Sequence, residues 1–132
     1  MRAWDAFCGV GGASCGFNAV NEVTVVGGID WDDKMLRMWA TNTRARAICA
    51  SIGQDEIEWP AAAEDLFIHL SPPCTALSKA RAGSATKEEV AQGVNMLKFT
   101  LDLIIDKGYV NFSLENVSTV NSRATAHSGQ IQ

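Results

Sequence analysis

The chain has 132 residues, a length that suits one domain. Hydrophobic residues make up 47% and charged residues 20%, so it can bury a core and is not disordered by composition. The net charge of −4 gives no electrostatic footprint for nucleic acid and, taken alone, argues mildly against one.

Arg2 to Phe7 reads as a short strand that ends at a glycine turn, Cys8-Gly9-Val10-Gly11-Gly12. Asp5 interrupts this end before an apolar stretch forms, so no signal peptide is expected. The uncharged run from Ala6 to Asn21 is too polar for a membrane span. A helix is expected from about Ala13 to Asn21, with Phe17 and Val20 inward. Gly16 weakens it by up to about 1 kcal/mol relative to alanine. Val23 to Ile29 is a second strand and leads into Asp30-Trp31. Asp32 or Asp33 can cap the next helix, which runs to about Thr41 with Met35, Leu36, Met38 and Trp39.

Ala47 to Ile52 is a weak third strand, and residues 53–64 read as loop or short helix. Leu66 to Leu70 is a short continuous apolar run, the pattern of a strand buried on both faces. It runs into Ser71-Pro72-Pro73-Cys74, where each proline fixes its own φ and restricts the residue before it. Lys79 to Ala85 reads as a polar loop. Thr86 to Glu89 has capping-box spacing, and Val90, Val94, Leu97, Leu101 and Ile104 mark one helical face before Gly108. Val110 to Leu114 is a fifth strand, followed by Glu115-Asn116. The polar stretch from Ser118 to Gln132 lacks periodicity and is expected to be poorly ordered.

Alternation of this kind implies a parallel α/β sheet with right-handed crossovers. In the strand order 3-2-1-4-5, the switch point lies between strands 1 and 4. The glycine turn leaves strand 1, the cysteine turn leaves strand 4, and Glu115 leaves strand 5 next door. These features meet at one crevice.

Gly9-Val10-Gly11-Gly12 lets backbone approach a nucleotide-type ligand, although Ser14 occupies the last position of a Gly-x-Gly-x-x-Gly pattern. A tight turn alone is an equal reading. Asp30 can accept hydrogen bonds from ribose hydroxyls or cap a helix. Trp31 can pack on an adenine face or serve as core. No basic residue lies between Arg2 and Lys34, which favours a ligand without polyphosphate, such as S-adenosylmethionine, over NAD or ATP. Cys74 is a candidate nucleophile, and a buried structural cysteine is the bland alternative. No histidine sits in a motif beside it, and His69 reads as a core or supporting residue. A cysteine paired with the Glu115 carboxyl group suits attack on an electron-poor ring, the acid holding a ring nitrogen. The four cysteines (Cys8, Cys15, Cys49 and Cys74) form no Cys-x-x-Cys pair and the two histidines are isolated, so no zinc site is expected. A reduced, intracellular protein is the natural reading.

Taken together these motifs resemble the cytosine-5 DNA methyltransferases. Asp5-Ala6-Phe7-Cys8-Gly9-Val10-Gly11-Gly12, followed by Gly16-Phe17, is similar to that family's first motif at every fixed position. Asp30-Trp31-Asp32 resembles the second, Pro73-Cys74 with Ser78 the Pro-Cys motif, and Glu115-Asn116-Val117 the Glu-Asn-Val motif. The resemblance implies a Rossmann-like, S-adenosylmethionine-dependent methyltransferase fold, with a parallel sheet between helices. It further implies that duplex DNA is the partner, that a cytosine is flipped out of it, and that Cys74 attacks carbon 6. Glu115 would hold ring nitrogen 3, Asn116 would orient its turn, and Pro73 would shape the base pocket. Phe7, Asp30 and Trp31, with Asp5, Gly9, Gly11 and Gly12 of the turn, would form the cofactor site. Lys79, Arg81 and Lys87 would lie along the DNA backbone, or form a solvated basic loop.

The chain also departs from the family pattern. Thr75 stands where glutamine is common, and the adenine-reading position falls to Ser51 or Asp55. The later arginine motif, the target-recognition region and the closing motifs have no counterpart. Residues 1–120 therefore read as the N-terminal part of a catalytic domain, and residues 121–132 as a tail. Three roles are compatible with this: a fragment or split half of a DNA methyltransferase, possessing a second polypeptide as partner; an inactive remnant or partner-binding module; and an RNA (tRNA) cytosine-5 methyltransferase. A cytoplasmic place, in a bacterium or in the host cell of a phage or virus, is implied.

Overall fold

A computed structural model describes residues 1–117; residues 118–132, where the tail was expected, and the Arg81 side chain lie outside the described part. Among the described residues five strands form one sheet: β1 (Arg2–Ala6), β2 (Thr24–Asp30), β3 (Arg46–Cys49), β4 (Leu66–Leu70) and β5 (Asn111–Leu114). Their order is β3-β2-β1-β4-β5 and every pairing is parallel, as the alternating pattern requires. The helices are α1 (Gly12–Asn18), α2 (Asp33–Thr43), α3 (Thr75–Arg81) and α4 (Lys87–Lys107).

Side chains alternate across β1 and so feed two cores. Trp4 and Ala6 join Ile29, Ile68, Leu70, Leu103 and Ile104 on the α4 side. Ala3 joins Val25, Leu36 and Trp39 beneath α2. On that second side Phe17 of α1 meets Phe67 edge-on, with ring centroids 5.6 Å apart. The glycines of β2 make room for tryptophan on both faces. A Cβ on Gly27 would stand 2.3 Å from the Trp4 ring, and one on Gly28 2.4 Å from the Trp39 ring.

α4 carries the expected capping box: Thr86 Oγ1 accepts from the Glu89 N–H, and the Glu89 carboxylate accepts from the Thr86 N–H. Gly108 ends the helix in the left-handed conformation at φ 68°. Its buried stripe is rotated from the expected one. Gly93, Thr100, Leu103 and Ile104 are buried, whereas Val94 and Leu101 are exposed. The small Gly93 and the Thr100 hydroxyl, which bonds to the Met96 carbonyl, carry little hydropathy but allow close packing.

Three further boundaries differ. The Lys79–Ala85 loop begins inside a helix: α3 opens at Thr75, and Leu77 packs where a Cβ on Gly93 would stand 3.2 Å from it. α1 stops at Asn18, which leaves Val20 exposed, and in α2 Met35 and Met38 face outward while Leu36 and Trp39 are buried. β3 ends at Cys49 because Ser51 opens a turn, its carbonyl accepting from the Gln54 and Asp55 N–H groups.

The two edges of the sheet differ. β3 carries Arg46, paired with Glu58 at 3.1 Å. β5 carries no charge, and its Phe112 and the preceding Val110 are exposed. Charged side chains are a common guard on an open edge.

Candidate active site

The C-terminal ends of β1, β2, β4 and β5 carry the turns that the sequence singled out. After β1 the chain turns sharply. Phe7 takes φ 62° and Gly9 φ 51°, and Gly11 reaches φ 100° before α1 starts. The Gly11 N–H donates to the Cys8 carbonyl at 2.9 Å. Asp30, at the end of β2, fixes this turn: its Oδ2 accepts from the Gly9 N–H at 2.8 Å. Its Oδ1 accepts from the Asp32 N–H at 2.9 Å. Asp32 in turn caps α2, accepting from the Lys34 and Met35 N–H groups.

The turn after β4 is stitched to its neighbours on both sides. The Ser71 N–H donates to the Ala6 carbonyl at 3.3 Å, and the Ser71 hydroxyl to the Phe7 carbonyl at 3.4 Å. The Glu115 N–H donates to the Leu70 carbonyl at 2.9 Å. The Asn116 amide donates to the Pro72 carbonyl at 3.1 Å, and its oxygen accepts from the Val117 N–H. Cys74 is half-buried at the start of α3, where its carbonyl accepts from the Ser78 N–H at 2.8 Å. Pro73 and the Glu115 side chain are exposed.

A cavity of about 60 Å³ lies among the segments after β1, β2, β3 and β4, lined by Phe7, Asp30, Trp31, Ala50, Ser51, Ile52, Pro73 and Met96; Cys74, Glu115, Asn116 and the glycines of the first turn lie outside that lining. Phe7, Asp30, Trp31 and Pro73 are thus brought together from three strand ends. Trp31 is 69% exposed and forms an outer wall, so it is not core. Ser51 lines the cavity, whereas Asp55 is exposed and spends a carboxylate oxygen on the Ser51 N–H at 2.6 Å. Ala50, Ile52 and Met96 escaped the sequence reading. The Met96 signal was its place one turn before Thr100 on the buried stripe, visible only once that stripe is located.

Asp5 does not line the cavity. It is 1% exposed and receives the Ser14 hydroxyl hydrogen bond beneath the glycine turn. Burial pushes its carboxyl above the ordinary range, while Ser14 and His69 oppose the shift. Burial, then the charges of Asp5 and Asp30, pushes the Cys8 thiol well up. All four cysteines are free. His69 is half-buried, hydrogen-bonded to the Ser113 hydroxyl at 2.7 Å and edge-on to Phe17. Lys79 pairs with Glu89 at 3.1 Å, and Lys87 is exposed. Among the described residues no cluster of metal ligands forms, and no helix is long and apolar enough to cross a membrane.

Comparison with solved structures finds the same fold. A protein described as a DNA modification methyltransferase encoded within an E. coli prophage superimposes with a TM-score of 0.65 at 17% identity, over 96% of this chain. The S. pombe Dnmt2 methyltransferase gives 0.60 at 18% identity, over 92% of this chain. The chain spans only 34% and 36% of those two proteins. No curated protein sequence matches it. The sequence profile of the C-5 cytosine-specific DNA methylases matches residues 1–130, and the chain belongs to that family.

Proposed function

We propose that the chain is the cofactor-binding and nucleophile-bearing part of a DNA cytosine-5 methyltransferase that uses S-adenosylmethionine. One observation carries the reading: Pro73, beside Cys74, lines the same cavity as Phe7, Asp30 and Trp31. A methyl donor and an attacking thiol must work within bonding reach of one base, and this arrangement suits that need.

The chemistry of the lining suits the adenosine part of the cofactor. It offers flat and apolar walls (Phe7, Trp31, Ile52, Met96), one carboxylate (Asp30), one hydroxyl (Ser51) and no basic side chain. Such a set suits a nucleoside without phosphates. Phe7 and Trp31 would hold the adenine, Ser51 would read its edge, and Asp30 would bind the ribose with the lone pairs its two backbone bonds leave free. When bound, S-adenosylmethionine supplies the methyl group.

Cys74 would attack carbon 6 of a flipped cytosine, forming the Sγ–C6 bond. Glu115 would hold ring nitrogen 3, where the displaced electron density gathers. That density makes carbon 5 nucleophilic. After methylation, loss of the carbon-5 proton would expel Cys74. Asn116 would keep the Glu115 turn against Pro72. In this reading the later motifs and base recognition come from polypeptide outside these 132 residues, of the same chain or of a second one. The uncharged β5 edge supports it as the place where another strand could join. The protein would work where the cell or its phage keeps DNA.

Calorimetric titration with S-adenosylmethionine tests the cofactor assignment. Trp31→Ala is the control, because that side chain is mostly exposed and its loss leaves the core intact. Binding that weakens in the variant supports the reading. A folded wild-type chain that binds nothing refutes it. Methyl transfer to duplex DNA and to tRNA, with a polypeptide carrying the later motifs added, then identifies the acceptor.

A further inference from the structure

Beneath the glycine turn lies a buried polar relay. Ser14 is fully buried and uses its hydroxyl twice: it donates to the Asp5 carboxylate and accepts from the Trp39 indole N–H at 2.8 Å. The three residues belong to β1, α1 and α2, so one hydroxyl ties three elements together. Among the described residues Asp5 Oδ1 is buried without a partner, and Ser14 supplies the hydrogen bond of the other carboxyl oxygen.

The relay reaches the turn through Trp39. That indole is fully buried and lies directly under Gly11, where a Cβ would stand 2.9 Å from its Cδ1. It also fills the space opened by Gly28. The turn is therefore gripped twice, at Gly9 by the Asp30 carboxylate and under Gly11 by the indole. Ser14 holds the place where a dinucleotide-binding turn carries its third glycine, whose use is close helix–strand packing. Here that place carries a hydrogen-bonding group.

We propose that Ser14 and Trp39, anchored on Asp5, are positioning residues that set the height of the glycine turn and, through it, the cofactor cavity. They act without touching the ligand. The inference rests on the cofactor reading of that cavity. Losing a hydrogen bond of ordinary net strength weakens a dependent equilibrium about 5-fold.

The test is calorimetric binding of S-adenosylmethionine to the 132-residue chain and to Ser14→Ala, Ser14→Cys, Trp39→Phe and the Ser14→Ala/Trp39→Phe double variant. Urea unfolding is followed on each. Ser14→Cys keeps the side-chain shape at slightly larger size and removes the strong donor, so it leaves no cavity where Ser14→Ala would. The expected result is a Kd raised about 5-fold by either Ser14 change and by Trp39→Phe. The double variant should be no weaker than the worse single one. A purely structural relay would lower urea midpoints and leave the Kd of the folded chain unchanged; that result overturns the proposal while sparing the cofactor reading. A folded wild-type chain without affinity overturns both.

Discussion

Phe7 combines a costly backbone with a role in the cavity wall, and the two can be separated. At φ 62° it sits in the left-handed region, which costs a non-glycine residue roughly 1–2 kcal/mol. Its ring is half-buried against the core around Ile29 and Leu70 and lines the cavity. Phe7→Ala removes the ring and keeps the backbone cost. Phe7→Gly removes both. In ordinary extended backbone glycine is less stable than alanine by about 0.5–1 kcal/mol. At position 7 the order should invert, with Phe7→Gly the more stable by about 1 kcal/mol, or about 4 °C in Tm. Relief of strain should also bring Phe7→Gly to within about 1 kcal/mol of the wild type, since half-burying a ring is worth roughly that much. Both variants should lose affinity for S-adenosylmethionine alike, because the wall is gone from both. Urea unfolding and calorimetry of the pair are the assays. An alanine variant as stable as the glycine one would refute the strain argument.

Other outcomes follow from the same geometry. Cys74→Ser should abolish methyl transfer in a reconstituted enzyme while leaving the cofactor Kd nearly unchanged; normal turnover would remove Cys74 as nucleophile. Thiol labelling of the native chain should modify the exposed Cys15 and Cys49 first, with Cys8 reacting only on unfolding; early labelling of Cys8 in mass spectra would contradict its burial. Because the folded Asp5 carboxyl titrates above its unfolded value, its contribution is fully present below the unfolded value and lost as pH rises through the folded one. Asp5→Asn lacks that loss, so its stability relative to wild type, read from urea midpoints, should improve from pH 4.5 to pH 7.5; a constant difference would argue against the shift. Thr86→Ala should cost about 1 kcal/mol through the lost cap, and no change in the urea midpoint would mean that the cap contributes nothing.

The sheet was legible because its strands are short apolar runs separated by turn residues, and β4 matched from Leu66 to Leu70. The site was legible because glycine, proline and paired polar residues mark strand ends. Sequence patterning failed where packing outranks hydropathy. In α4 the buried stripe runs through Gly93 and Thr100, so counting apolar residues found Ile104 but also turned the exposed Val94 and Leu101 inward, and Met96 was missed. The end of α3, from Lys79, looked like the start of a polar loop because, among the described residues of that helix, only Leu77 is buried. Asp5 sits in the glycine motif, yet nothing in the string says that it points beneath the turn; that depends on Ser14 and Trp39 arriving from two other elements.

The paired glycines of β2 have a consequence for how such a sequence can change over generations. Gly27 and Gly28 face opposite cores, each against its own tryptophan. An added methyl at either position collides with a ring whose removal alone would leave a cavity. The substitutions are therefore viable together and harmful apart. Trp39 and Gly28 are expected to drift as a pair, and Trp4 and Gly27 as another, one pair in each layer of the protein.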